Sequence, residues 1–317
     1  MMNKDLRVKS KKNKQTQVAE PEFFIFLYSQ TSQKKRMQTE EKATRTIVEV
    51  PKWTKTMEKS QRFVLLGSCF AGYMGERFKA EGMDAVCNPL GAAYNPESIA
   101  IQVRTALESD KMKSLKDEKK ESSLLHSFNS SIFYFDGLWR CWWANTRITG
   151  TDREQFRVNL ADTFSLLGSA IRKADWLFLT LGTSVCYRLK ENGMIVANCH
   201  KVPSRSFEEI WLDVDTCMET LCSLTEQLTR ECPGLRVVLT VSPYRYRKYG
   251  LHGSQLAKAT LLLAIDRLCK RFPEKVVYFP AYEIMLDELR NYNFYADDMI
   301  HPAPEAVEHI WNRFWNR

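Results

Sequence analysis

The chain has 317 residues, of which 44% are hydrophobic and 26% are charged, a composition typical of a globular protein. Much of the formal net charge of +8 comes from residues 1–36, and the remainder shows no basic stripe interleaved with aromatic residues, so we expect no nucleic-acid binding. No run of about 18 apolar residues occurs, so we expect no membrane span.

The nine cysteines form an odd-numbered set without a C-x-x-C pair, which is unlike a secreted disulfide framework. We therefore expect a reducing compartment and a cytoplasmic location. The apolar run at 23–28 is short and is not followed by a cleavage site of small residues, which disfavours secretion. No spacing of His, Cys and Asp suggests a zinc site, and we expect neither a metal nor a cofactor.

From about residue 60 the chain alternates short β-rich runs with longer amphipathic runs. Strands are predicted at 62–66, 175–182, 235–243 and 275–280. Helices are predicted at 70–80, 95–107, 153–174, 207–230, 254–272, 281–290 and 304–315, with Asn95 as an N-cap. This alternation predicts a three-layer α/β/α domain with a mainly parallel sheet covered on both faces.

The remaining predictions concern the organisation of the chain. Residues 1–44 are expected to be a disordered N-terminal extension, and residues 45–317 a single α/β domain. Two aromatic runs about Asp136-Gly137 predict a hairpin insertion near 131–145. The charged residues 108–123 predict a surface loop or a solvated helix end.

Ser68 stands at the first strand-to-helix transition, in the run FVLLGSCFAGYMG that extends from Phe63 to Gly75. Ligands of open α/β sheets bind beyond the carboxyl ends of the strands. The free N–H groups at a helix N-terminus favour a developing oxyanion, so Ser68 is a candidate nucleophile. Serine is also a common helix N-cap, and the stretch taken alone favours that role.

Among the five histidines we single out His301, because Asp298 precedes it by three residues in the loop run DDMIHP. A general base needs an imidazole that is held in one tautomer by an acceptor on its other nitrogen. Asp298 can supply that acceptor from a loop turn. The pair alone is equally compatible with a catalytic base and with a structural loop histidine.

A serine at the first β-to-α turn, together with D-x-x-H before the last helix, resembles the layout of the SGNH/GDSL hydrolases. Within that group the chain resembles the GSCFA family, whose name is spelled by Gly67 to Ala71. The resemblance spans roughly residues 45–317 and includes the runs at 88–96, 179–184, 196–203, 240–266 and 294–302. It implies a flavodoxin-like SGNH hydrolase fold.

The resemblance also implies roles for individual residues. Ser68 would be the nucleophile, His301 the general base and then acid, and Asp298 the residue that orients His301. The N–H groups of Ser68 and Gly91 would donate to the oxyanion.

This chain departs from the family pattern at the third oxyanion donor. Where a typical member has Gly-x-Asn, this chain has Gly182-Thr183-Ser184. Thr183 or Asn198 is then expected to replace the missing asparagine. Losing one oxyanion donor typically costs about 10²–10³ in turnover.

Four further residues have both a functional and a structural interpretation. His200 is a second base, a substrate contact or, more commonly for such a residue, a hydrogen-bonded loop histidine. His252 and Arg245 are candidates for substrate binding, with structural and solvent-exposed roles as the alternatives. Cys69 follows Ser68 directly, and we expect its side chain to point away from the site toward the core.

These features predict a serine-dependent hydrolase acting through an acyl-enzyme on a small acyl ester, most plausibly an O-acetylated or otherwise acylated carbohydrate. An O-acyltransferase that uses the same intermediate is the first alternative. A non-catalytic carbohydrate- or ligand-binding module that kept the fold is the second, favoured by the missing asparagine. The oligomeric state is left open.

Overall fold

The computed structural model describes residues 46–115 and 128–316. Its strands are β1 (Arg62–Gly67), β2 (Asp84–Cys87), β3 (Ile132–Phe135), β4 (Leu138–Cys141), β5 (Thr149–Gly150), β6 (Trp176–Leu181), β7 (Val185–Leu189), β8 (Ile195–Val196), β9 (Phe207–Trp211), β10 (Arg236–Val241) and β11 (Val276–Tyr278). Its helices are α1 (Cys69–Ala80), α2 (Pro96–Leu115), α3 (Arg153–Lys173), α4 (Val214–Glu231), α5 (Gly250–Arg271), α6 (Ala281–Glu283) and α7 (Pro304–Trp315). A π-helical turn, Ile284–Glu288, continues α6.

The central sheet has five strands in the order β11-β10-β6-β1-β2, and all of its pairings are parallel. Counting only these strands, the order is 2-1-3-4-5, which is the flavodoxin-like form of the doubly wound sheet. In that order β1 and β6 are neighbours, so the first strand of the sheet lies inside it rather than at an edge. The predicted mainly parallel sheet is confirmed.

Different helices cover the two faces of this sheet. The helices α2, α3, α4 and α5 contribute to one core, and α1, α7 and the π-helical turn contribute to the other. Alternate residues of β1 point to opposite faces, with Val64 and Leu66 in the first core and Phe63 and Leu65 in the second. Burial on both faces explains why β1 and β6 are continuous apolar runs, and the three-layer architecture is confirmed.

Two small antiparallel sheets lie outside the central one. The predicted aromatic hairpin is present as β3 and β4, joined by Asp136 and Gly137, which both have positive φ, and β5 extends it. The second small sheet, β8-β7-β9, was not predicted. A shared apolar cluster that includes Trp142, Leu189 and Phe207 contains residues of both insertions.

Two element boundaries differ from the prediction. The helix predicted at 207–230 begins only at Val214, because residues 207–211 pair with β7 as strand β9. Asp213 caps that helix by accepting a hydrogen bond from the Thr216 N–H at 2.8 Å. Helix α2 extends into the charged segment as far as Leu115. The remainder of that segment, and the predicted extension at 1–44, lie outside the described residues.

None of the helices within the described ranges is long and apolar enough to cross a lipid bilayer.

The end of β1 depends on a glycine. Gly67 has φ of +127°, and a Cβ added there would lie 2.2 Å from the carbonyl oxygen of Thr180 in the neighbouring strand β6. Such an approach is possible only for a residue without a side chain. This contact positions the first residues of α1 beyond the carboxyl end of the sheet.

Replacing Gly67 by Ala should lower the free energy of unfolding by about 3 kcal/mol, because the new methyl group meets the Thr180 carbonyl and the backbone is strained. Urea unfolding followed by circular dichroism measures the change. The control is Gly72→Ala in α1, where an added Cβ meets nothing within 4 Å and helix propensity favours alanine by up to about 1 kcal/mol. Equal losses in both variants would contradict the steric argument.

Candidate functional site

Ser68 is the N-cap of α1 and is fully buried, with 0% of its surface exposed. Its Oγ accepts a hydrogen bond from the Phe70 N–H at 3.3 Å. Its own N–H donates to the Thr180 carbonyl at 3.0 Å, which continues the β1–β6 pairing by one residue. Ser68 therefore acts as the N-cap of α1, which is the structural role considered for it.

Asn88 holds this turn from the end of β2. Its Oδ1 accepts from the Gly67 N–H at 2.9 Å, and its Nδ2 donates to the Ser68 carbonyl at 3.4 Å. Asn88 itself has φ of +41°, a conformation that asparagine tolerates better than most residues. Sequence reasoning missed this role, and the only available signal was its position directly after a short β-rich run.

Asp298 and His301 form the predicted pair. His301 Nδ1 lies 2.5 Å from Asp298 Oδ2, while Asp298 Oδ1 accepts from the N–H groups of Ile300 at 2.8 Å and of His301 at 2.9 Å. The bond to the His301 ring, followed by these two backbone bonds, lowers the pKa of Asp298 to about 2. Asp298 is therefore a carboxylate throughout the neutral range, and it fixes the orientation of the imidazole.

The other ring nitrogen of His301, Nε2, has no hydrogen-bond partner within residues 46–115 and 128–316. About 31% of the side chain is exposed. The loop is held in place by the Arg245 N–H, which donates to the Ile300 carbonyl at 3.0 Å. His301 is thus oriented on one side and open on the other, as a proton-transfer group must be.

His301 and Asp298 border a cavity of about 590 Å³. Helix α1 forms part of its wall through Tyr73, Glu76 and Arg77. The start of α7 closes the other side. The cavity therefore lies between the first helix of the domain and the loop that carries the histidine.

Tyr244 packs against His301, with 4.8 Å between the ring centroids. Burial raises the pKa of Tyr244, and the charges of Cys69 and Asp298 raise it further. The Cys69 Sγ lies 3.2 Å from the hydroxyl of Tyr94, and the residue is partly exposed. The prediction that Cys69 points into the core is therefore wrong, because the side chains that α1 turns inward are those of Phe70, Ala71 and Met74.

Two predicted oxyanion donors are engaged within the fold. The Ser68 N–H is bound to Thr180, as described, and the Gly91 N–H donates to the Asn88 carbonyl at 2.7 Å in a tight turn. Both amides therefore have backbone carbonyl acceptors. Thr183 is 4% exposed, and its Oγ1 accepts from the Val185 N–H at 3.1 Å.

Asn198 is tied to the inserted sheets. Its Oδ1 accepts from Thr146 Oγ1 and from the His200 N–H, both at 2.8 Å. Another asparagine, Asn145, lies directly against Gly91, where an added Cβ would be 2.1 Å from the Asn145 Cβ. Sequence reasoning did not single out Asn145, since it lies far from Gly91 along the chain.

His200 lies inside the fold rather than in the cavity around His301. It is 1% exposed, and its Nε2 is 2.8 Å from the Cys141 carbonyl oxygen. Burial lowers its pKa to about 4, so the ring is neutral near pH 7. Of the predicted roles, the structure shows the hydrogen-bonded loop histidine; a side chain this deeply buried does not reach a substrate.

Arg245 borders a second cavity, of about 340 Å³, that does not include His301. Its guanidinium carbon lies 4.7 Å from the centroid of the Tyr295 ring and 5.7 Å from that of Tyr292. His252 is exposed in the first turn of α5. The structure therefore brings Asp298 and His301 together but places both of these predicted substrate contacts outside the cavity that His301 lines.

Lys258, which sequence reasoning missed, lies beneath the carboxyl ends of β6 and β10. It is 1% exposed, and its Nζ donates to the carbonyls of Gly182 at 2.6 Å and Ser242 at 2.7 Å. Burial lowers its pKa to about 7. The Tyr282 ring lies 5.5 Å from Nζ.

Across residues 46–115 and 128–316, no three His, Cys, Asp or Glu side chains are arranged as a metal site. All nine cysteines are free thiols.

The family model of the GSCFA family matches residues 62–314 of the chain, which extend from β1 into α7. A comparison with curated proteins finds no match.

The buried His200 should make stability depend on pH. An unfolded histidine has a pKa near 6.5, so as the pH falls from 6.5 toward 4 the unfolded chain binds a proton that the native state excludes. The free energy of unfolding should therefore fall by about 2 kcal/mol between pH 7 and pH 5 through this residue.

His200→Asn tests this expectation, because asparagine tolerates the φ of +49° at this position and does not titrate. Urea unfolding of both proteins at pH 7 and pH 5 should show a smaller pH effect in the variant. The same loss in both proteins would contradict the assignment to His200.

Proposed function

The chain belongs to the GSCFA family, and on the geometry of its site we propose that it is an acyl-ester hydrolase of SGNH type. His301 acts as general base and acid, Asp298 orients it, and Ser68, the N-cap of α1, is the nucleophile. The attack forms a covalent acyl-enzyme that water then hydrolyses.

The observation that carries the proposal is the setting of His301. Its Nδ1 is bound to a carboxylate with a lowered pKa, and its Nε2 is unpartnered among the described residues. A histidine held in this way can accept a proton at Nε2 while the carboxylate stabilises the imidazolium. The position of the pair beside the helix that follows β1 supports the SGNH assignment, as does the 2-1-3-4-5 strand order.

The nucleophile attacks the ester carbonyl while His301 Nε2 accepts its proton. That proton passes to the departing alkoxide, which leaves as an alcohol. A water molecule, deprotonated by the same nitrogen, then attacks the acyl-enzyme and releases the carboxylic acid.

The cavity supports a carbohydrate as the alcohol part of the substrate. Tyr73 is 37% exposed and offers an aromatic face on which a sugar ring can stack. Glu76 and the ion pair of Arg77 with Glu308, 2.8 Å apart, line the same cavity, and their carboxylates can accept hydrogen bonds from sugar hydroxyl groups. We therefore propose O-acetylated carbohydrates as the substrate class.

The proposal predicts that the protein releases acetate from p-nitrophenyl acetate and from acetylated oligosaccharides. His301→Ala should reduce kcat by about 10²–10⁴-fold, since it removes general acid–base catalysis, and Asp298→Asn should also reduce it because the imidazole loses its carboxylate. The matched control is His309→Gln. His309 belongs to α7 and does not line the cavity, and its Nε2 lies 2.6 Å from Oε1 of Glu288 in the π-helical turn. Folded His301→Ala protein that turns over as fast as the wild type would overturn the proposal.

A further inference from the structure

We propose that Lys258 is a positioning residue, which fixes His301 relative to the turn that carries Ser68. The inference rests on the proposed function and adds to it a residue that does not itself touch the substrate. It follows from the two backbone carbonyls that the Lys258 side chain joins beneath the carboxyl ends of β6 and β10.

Lys258 lies in α5, and only 1% of the residue is exposed. Lysine is rarely buried this deeply unless its amine has partners. Within residues 46–115 and 128–316 no carboxylate forms an ion pair with it. The amine instead donates to the carbonyl oxygens of Gly182 at 2.6 Å and of Ser242 at 2.7 Å, so joining these two groups is what the buried side chain does.

Gly182 and Ser242 are the residues that directly follow β6 and β10. A backbone bond from the Ser242 N–H to the Leu181 carbonyl, at 2.8 Å, joins the two strands at their ends. Within the described ranges the carbonyls of Gly182 and Ser242 have no other donor than Lys258 Nζ. Both residues are buried, so without this amine two carbonyls would lack a partner, which is costly inside a protein.

The Gly182 end of this bridge belongs to the strand that holds the nucleophile. The Ser68 N–H donates to the carbonyl of Thr180 in β6 at 3.0 Å. The N–H groups of Gly182 and Thr183 both donate to the Tyr94 carbonyl, at 2.6 Å and 3.0 Å. The position of Gly182 is therefore fixed with respect to the Ser68 turn.

The Ser242 end leads to the histidine within three residues. Tyr244, whose N–H donates to the Ser242 Oγ at 3.4 Å, packs on the His301 ring with 4.8 Å between the centroids. The N–H of Arg245 donates at 3.0 Å to the carbonyl of Ile300, the residue before His301. A shift of Ser242 would therefore reach His301 through one ring contact and one backbone bond.

The chemistry requires such a connection. His301 must accept a proton from Ser68, and a misplacement of about 1 Å can cost about 10²-fold in rate. Asp298 orients the imidazole, but it belongs to the same loop as His301 and moves with it. It therefore does not set the distance from that loop to the first turn of α1. The bridge through Lys258 supplies this constraint, because it joins the strand bonded to Ser68 to the segment that contacts His301.

Lys258→Met tests the proposal, because methionine fills much of the same space and removes both hydrogen bonds. With p-nitrophenyl acetate, kcat should fall by about 10²-fold with little change in KM, since Lys258 does not touch the substrate. The Cε1–H resonance of His301 in the proton NMR spectrum, assigned by its absence from His301→Ala, should also move. It reports the position of the Tyr244 ring against the imidazole, which a loss of stability alone does not change.

The matched control is Lys275→Met. Lys275 Nζ also donates to two backbone carbonyls, those of Cys232 at 2.7 Å and Pro233 at 3.4 Å. Lys275 directly precedes β11, so it lies at the amino end of the parallel sheet, opposite the site. This variant should keep the wild-type kcat and the wild-type His301 resonance.

A second substitution, Lys258→Gln, keeps two N–H donors on a side chain that is one bond shorter. It should lower kcat less than Lys258→Met and move the His301 resonance less, because its amide restores part of the bridge. Lys258→Gln decides the test if Lys258→Met does not fold.

The outcomes separate this inference from the proposed function. Wild-type kcat in the deciding variant, an unmoved His301 resonance there, or an equal loss of kcat in Lys275→Met overturns the role of Lys258 and leaves the hydrolase intact. Absence of turnover in folded wild-type protein, with both p-nitrophenyl acetate and acetylated oligosaccharides, overturns the hydrolase. The NMR comparison does not depend on turnover, so it still shows in that case whether Lys258 positions His301.

Discussion

The close approach of Gly67 to the Thr180 carbonyl is the contact on which the site depends. It draws the end of β1 against β6 so tightly that only a glycine fits, with the positive φ that lets the chain turn at once into α1. The Ser68 N–H then adds one more bond to the same carbonyl, and Asn88 clamps the turn from the other side. With the turn held at three points, the rotation of α1 about its axis is determined from its first residue.

That rotation decides which side chains meet. Ser68 is directed inward and completes the helix end, whereas Cys69 is directed outward, onto the side of the helix where Tyr73 lines the cavity. The loop that carries Asp298 and His301 reaches the same cavity from the far end of the chain, through hydrogen bonds of its own. A local backbone constraint in the first strand and a local turn before the last helix thus define one cavity between them.

The sequence predictions were accurate where the structure depends on a local pattern and failed where it depends on contacts between residues distant in the sequence. The inner strands β1, β6 and β10 were predicted because burial on both faces leaves continuous apolar runs, whereas the short, partly exposed edge strand β2 was not predicted. Asp298 and His301 were predicted as a pair because their contact spans three residues. Strand β9 was missed because its residues include charged side chains that fit a helix equally well. What makes them a strand is pairing with β7, which is distant in the sequence. The direction of Cys69 was predicted wrongly, since it depends on how β1 meets Thr180, a contact more than a hundred residues away along the chain.

Lys258 shows a different consequence of the same architecture. An uncharged amine has two N–H bonds, and within residues 46–115 and 128–316 Nζ has two carbonyl acceptors, at Gly182 and Ser242, beside the face of the Tyr282 ring. Both carbonyls therefore keep a donor whether or not the amine carries its extra proton. With a pKa of about 7, the positive charge beneath the ends of β6 and β10 can come and go near neutrality without breaking a hydrogen bond. A change in the charge of Lys258 therefore alters the electrostatic potential at this end of the sheet while both hydrogen bonds of its Nζ remain in place.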